Sequence, residues 1–175
     1  MSSILQQNYF ELFGLVPEYK IDSAVLASRY RGLQQSVHPD RFAAASEQER
    51  RLSVQSAAHV NEAFQTLKHP LSRARYLLEL RGISADQANA LDEAFLLEQM
   101  NLREQLDDLP TQVEPLLALM QMREALEARI TELQQVFVDS LNGDNNTQAL
   151  QVFNKMQFFY RLQEELDGRE EQLSA

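Results

Sequence analysis

The sequence predicts an all-helical fold, on three observations. Of 175 residues only 5 are Gly and 5 are Pro. Apolar residues recur at steps of three and four, while period-two runs are missing. Proline and Asn/Gly/Asp clusters punctuate the apolar stripes as helix ends do.

The first element is short. Tyr9, Phe10, Leu12, Phe13 and Leu15 gather around Gly14, and Pro17 stops it. The second helix follows Asp22 or Ser23 as N-cap. Leu26, Tyr30, Leu33 and Val37 make its buried stripe. The other face carries Ser28, Arg31 and Gln35, with Arg29 near the edge. His38-Pro39-Asp40 ends it, because proline disfavours helical geometry at the residue before it. A third helix starts near Ser46, with Glu49 completing a capping box. Val60, Ala63, Phe64 and Leu67 are its stripe, His59 falls on its exposed side, and His69-Pro70 closes it. A fourth follows at once, with Ala74, Leu77, Leu78 and Ile83 inward and Gly82 as C-cap.

Around Ser84 to Asn89 the composition shifts. Residues 1–84 hold 10 basic and 8 acidic side chains, a net of +2; residues 85–175 hold 6 and 18, a net of -12. Such asymmetry suggests two modules, 1–84 and 85–175, with different partners. The second reads as three helices, about Asp92 to Leu109, Val113 to Leu141 and Thr147 to Leu173. Pro110, Pro115 and the run Asn142 to Asn146 separate them. Short connections make antiparallel neighbours, hence a three-helix bundle.

Composition narrows the function classes. The formal net charge is -10, which argues against general nucleic-acid binding and against docking on an anionic membrane. Cysteine is absent, which removes disulfides, Cys-ligated metals and a thiol nucleophile. No apolar run approaches the ~18 residues of a membrane span. No secretory signal is visible in Met1 to Phe10. The expected location is the cytoplasm.

Catalytic readings are poor. The three histidines, His38, His59 and His69, form no paired ligand motif. Glycines are too scattered for a phosphate loop. The acidic pairs Asp107-Asp108, Glu164-Glu165 and Glu170-Glu171 read as solvated helix faces. No enzyme, metal or cofactor is expected.

The strongest local signal is His38-Pro39-Asp40-Arg41-Phe42 between two amphipathic helices. A proline-locked loop there holds an imidazole and a carboxylate two residues apart, and Phe42 can pin it to the core. On the tripeptide alone, an ordinary helix C-terminus with His against the helix dipole is the favoured reading. Its context is Tyr9-Phe10-Glu11-Leu12-Phe13-Gly14-Leu15 before it and Val60-Asn61-Glu62-Ala63-Phe64-Gln65-Thr66-Leu67, Pro70, Arg73 and Tyr76 after it. This constellation, over roughly Asn8 to Leu80, resembles the J-domain of DnaJ-type co-chaperones. Arg41 stands where Lys is frequent in that family and keeps the charge.

With no Gly/Phe-rich linker, no Cys-rich zinc region and an acidic helical second half, the whole chain looks like the HscB family. Those proteins are dedicated co-chaperones of bacterial iron–sulfur cluster assembly. Phe95 to Met100 with Leu102-Arg103-Glu104 looks like the family's first bundle helix. The fold this implies is an N-terminal J-domain hairpin plus a C-terminal three-helix bundle, two-lobed or L-shaped.

Spacing gives the bundle its own reading. At ~100° per residue, Phe95, Leu102, Leu106 and Leu109 fall within roughly 60° of one another and form the core stripe. Leu96, Leu97, Met100 and Glu104 lie opposite. In the last helix Ala149, Val152, Phe153, Met156, Phe159 and Tyr160 face inward, and Phe158 points away. Outward apolar clusters mark an interface, or bury against the first module or a second chain. In the family this face binds the cluster scaffold. The resemblance therefore implies an IscU-like scaffold on Leu96, Leu97, Met100 and Phe158, with Glu104 on the rim. It implies an HscA-like, DnaK-type ATPase at His38, Pro39, Asp40 and Arg41, with Arg29, Arg31 and Gln35 steering. A general J-protein with another client, or a dimerising bundle, stays open, as does a metal protein or enzyme using His38 and Asp40.

Overall fold

The computed structural model describes residues 4–42, 44–86 and 93–174. Every helix or turn of regular structure among them is helical, as the spacing predicts. The helices are α1 (Tyr9–Leu12), α2 (Ser23–Val37), α3 (Glu47–Lys68), α4 (Pro70–Leu80), α5 (Glu93–Asp108), α6 (Pro115–Asn142) and α7 (Asn146–Ser174). The chain divides into two compact units, Met1–Leu77 and Leu78–Ala175, with the division inside α4. Of the expected link near Ser84 to Asn89, residues 87–89 lie outside the described residues, as does Asp92, the expected start of α5.

In the first unit α2 and α3 run antiparallel. Two side-chain bonds fix the pairing. The Tyr30 hydroxyl donates to Asn61 Oδ1 at 2.8 Å, and the Ser53 hydroxyl donates to the Val37 carbonyl at 3.0 Å. Leu26, Val60, Ala63 and Leu67 close the seam. Tyr30 stacks on Phe64, ring centroids 4.0 Å apart. The Tyr76 hydroxyl accepts the Tyr9 N–H at 3.0 Å, and the two rings stack at 4.3 Å. The residues that carry the family resemblance, Tyr9, Asn61, Phe64 and Tyr76, are thus the fasteners of this unit. Spacing alone puts His59 on the exposed side of α3. It is instead half-buried, edge-on to Tyr9 at 5.5 Å, because α1 packs there, and its Nε2 is buried without a hydrogen-bond partner.

The helix ends follow their sequence signals. Asp22 accepts from Ala24 and Val25 at the start of α2. Ser46 and Glu49 form the capping box of α3. Hydrogen bonds from the Ser46 hydroxyl and backbone N–H hold the Glu49 carboxyl below the usual carboxylate range. A depressed pKa in the folded state stabilises α3 above the ordinary carboxylate pKa. That contribution is lost as pH falls through the folded value. Gly82, at φ +73°, ends α4, and Ile83 N–H donates back to the Leu78 carbonyl.

Gly14 follows α1 at φ +57°. A Cβ there would stand 3.0 Å from Arg29 Nη1, and that guanidinium donates to the carbonyls of Phe13 and Gly14. Gly14→Ala is therefore expected to lower stability by ~1–2 kcal/mol from the left-handed backbone alone. The displaced Arg29 adds to that cost. A thermal unfolding midpoint equal to wild type would contradict this account.

The second unit is a three-helix arrangement. Arg123 on α6 bridges to Asp167 and Glu170 of α7, and Gln134 donates to the Tyr160 hydroxyl, so α6 and α7 are antiparallel. Arg103–Glu165 and Asp107–Arg169 set α5 parallel to α7. Phe95, Leu106 and Leu109 are buried as spacing predicts, with Leu102 half-buried. On α7 the expected Ala149, Val152, Phe153, Met156 and Phe159 are buried, with Tyr160 half-buried. Leu150, Phe158, Leu162 and Leu166 join them. A helix touching two neighbours buries a wider arc than one stripe.

Candidate functional site

The loop between α2 and α3 is shaped by its proline. His38 takes an extended conformation, φ -59° and ψ 128°, as a residue before proline must. Pro39–Phe42 then form one tight turn, closed by the Arg41 N–H on the His38 carbonyl at 3.0 Å. The Pro39 ring lies outside the described side chains. Phe42 is half-buried and Arg41 Nη1 donates to the Gln35 carbonyl at 3.4 Å, so the exit of the turn is held.

What the turn presents is polar and open. The His38 side chain is 52% exposed and that of Asp40 91%. Asp40 N–H donates to His38 Nδ1 at 3.3 Å, and Asp40 Oδ2 lies 3.6 Å from the same nitrogen. An Nδ1 that accepts leaves the proton of a neutral imidazole on Nε2. The loop thus offers one N–H donor and one carboxylate acceptor to a partner. Among the described residues, no group of three His, Cys, Asp or Glu is placed to hold a metal.

The cations beside the loop divide. Arg29, Arg31 and Arg41 are all exposed, as is the neutral amide of Gln35, but among the described residues Arg31 and Arg41 lie free of α1. Arg29 is not an uncommitted cation: its bonds to the Phe13 and Gly14 carbonyls make it the fastener of α1 on α2. It still contributes a fixed positive charge to this face. Helical spacing places Arg29 at the stripe's edge, where it can reach the loop after α1; nothing in its own helix shows that contact.

On α5, Leu96, Leu97 and Met100 are 46%, 55% and 66% exposed, and Glu104 is exposed beside them. The outward face read from spacing is therefore open within its unit. Phe158 is the correction. It is only 9% exposed, edge-on to Phe95 at 5.8 Å and to Phe159 at 5.4 Å. The reason is that α5 as well as α6 packs on α7, so a ring turned away from one helix meets the other.

Cations cover this aromatic cluster. Arg103 lies over Phe158 at 5.7 Å, Lys155 over Phe95 at 5.1 Å and Arg129 over Phe159 at 5.8 Å. Burial opposes the charge on Arg129. Bonds to Glu132 and Glu98 outweigh it and push its pKa above the ordinary value.

A second apolar strip escapes the reading of the sequence. Leu116, Leu117 and Met120 are exposed on the first turns of α6, and Val113 is exposed on the bend just before it. Their i, i+3, i+4, i+7 spacing is visible in the sequence, but Leu116, Leu117 and Met120 share one long helix with the buried stripe Leu119, Met122, Leu126 and Ile130. Reading the two stripes as separate faces was the available signal.

Comparison with known proteins gives concordant results. A family model described as the HSCB C-terminal oligomerisation domain matches residues 91–167. A co-chaperone protein HscB homolog of Shewanella halifaxensis is 45% identical, over 95% of this chain and 98% of the relative. The homolog from Vibrio cholerae is 41% identical over the same shares. The solved structure of chaperone HscB from Vibrio cholerae matches with TM-score 0.88 at 40% identity, covering 95% of this chain and 99% of that one. The crystal structure of human co-chaperone protein HscB matches with TM-score 0.84 at 30% identity, covering 94% and 83%.

Proposed function

The chain belongs to the HscB family of co-chaperones, and on that premise we propose that it carries an IscU-like iron–sulfur scaffold protein to an HscA-like, DnaK-type ATPase and stimulates hydrolysis there. Residues 1–84 are the module for the ATPase and residues 85–175 the module for the scaffold. The observation that carries the reading is the open His38–Asp40 pair on a pinned turn, set in a helix hairpin. Such a turn can recognise a partner by hydrogen bonds and charge.

The chemistry divides between the two units. Arg31 and Arg41, with the fixed charge of Arg29 and the amide of Gln35, steer the loop to an acidic surface on the ATPase. His38 Nε2–H and the Asp40 carboxylate then make the short contacts, Asp40 with an arginine of the partner. Binding one nucleotide state better than the other is what moves the ATPase through its cycle. Leu96, Leu97 and Met100 anchor the scaffold, and Glu104 sits on the rim. Phe158 acts from behind, as the ring against which α5 is seated. Holding both partners on one chain raises the effective concentration of scaffold at the ATPase.

Steady-state hydrolysis by the cognate DnaK-type ATPase tests this. The chain alone is expected to raise the rate, and chain plus scaffold to raise it further than either alone. A rate unmoved by the chain at saturating concentration would sink the reading.

A second reading is a J-protein whose bundle serves self-association. The strip Val113, Leu116, Leu117 and Met120 favours it, since nothing in its own unit covers these side chains. Sedimentation separates the two: concentration-dependent association without scaffold binding supports the second.

A further inference from the structure

We propose that Ser53 is a positioning residue for the His38–Asp40 turn, acting from α3 as a cap on the end of α2. The inference rests on the reading of that turn as the contact with the ATPase. Val37 is the last residue of α2, and its carbonyl cannot use the helical partner four residues on, because the Arg41 N–H goes to the His38 carbonyl. Helix C-termini leave such carbonyls to be satisfied from elsewhere. Here the satisfying group is the Ser53 hydroxyl, 3.0 Å away across the hairpin, with both residues buried.

The position of this bond gives it its consequence. It fixes the peptide that leads directly into His38. Phe42 and the Arg41–Gln35 contact hold the other end of the turn. The imidazole and the carboxylate are therefore aimed by constraints on both sides, and Ser53 supplies the one at the entry. A serine is a middling helix former. Alanine would fill the same place in a packed hairpin with less polar surface to bury, so the hydroxyl is what distinguishes this site. Without it the Val37 carbonyl is left buried and unpaired, and the turn can shift to pair it otherwise.

The experiment is a titration of the cognate ATPase with wild type, Ser53→Ala, Ser53→Thr and Ser53→Val. Thr and Val have the same shape, and only Thr keeps the hydroxyl. Loss of the cap lowers the population of the productive turn, so the half-stimulating concentration is expected to rise about fivefold in the Ala and Val variants while the plateau stays. Thr is expected to behave as wild type. Val matching Thr, or Ala matching wild type, would overturn the proposal.

Should Thr and Val fail to fold in the hairpin, Ser53→Ala decides by amide exchange. Arg41 N–H is expected to exchange about fivefold faster, and an unchanged rate refutes the role. If wild type itself gives no stimulation, the reading of the turn as the ATPase contact has failed. The Arg41 exchange rate then still decides whether Ser53 positions the turn.

Discussion

His38→Gln is expected to reduce stimulation of the ATPase to its basal rate while leaving the protein folded and the scaffold bound. The side chain is half exposed, and its short contacts within the chain are to the adjacent Asp40. A substitution at such a position changes stability by about 0.5 kcal/mol or less, so circular dichroism and the unfolding midpoint stay where they were. Glutamine keeps an amide donor but not the planar ring whose Nδ1 accepts from the Asp40 backbone and whose Nε2–H faces outward. The loss is then one of geometry at the contact. Scaffold affinity is the internal control, because the leucines proposed to anchor the scaffold belong to the other unit. Stimulation that survived the substitution would remove the loop from the mechanism.

How much of this was legible in the sequence depended on whether a feature is local. Helix ends were legible because their signals are written within four residues: Asp22 before α2, Ser46 with Glu49 before α3, Gly82 after α4. The outward placing of Leu96, Leu97 and Met100 was legible too, since one helix wheel decides it. Phe158, Arg29 and His59 were not. Each is settled by a second element arriving in space: α5 against Phe158, the loop after α1 against Arg29, α1 against His59. A periodicity argument assumes one buried face. It fails where a helix touches two neighbours, or where a long charged side chain reaches back to a distant carbonyl. Ser53 belongs to the same class: a serine within a helix declares nothing until the end of α2 is laid beside it.

The bundle carries the other large effect. Replacing Leu96 and Leu97 together by alanine is expected to weaken scaffold binding on the order of a hundredfold, taking about 1–2 kcal/mol for each anchor and tenfold per 1.4 kcal/mol. Both side chains are about half exposed in the unbound chain, so their truncation leaves the unfolding midpoint nearly unchanged. Phe158→Ala supplies the contrast. That ring is buried against Phe95 and Phe159 under Arg103, and emptying such a site costs about 3–5 kcal/mol of stability. Any loss of scaffold affinity in that variant therefore comes with a lower midpoint, whereas in the double leucine variant it comes without one. Calorimetric titration of the scaffold beside thermal unfolding reads both quantities on the same protein. Affinity that withstands the loss of both leucines would mean that this face of α5 is not where the scaffold sits, and the uncovered start of α6 would become the surface to test in its place.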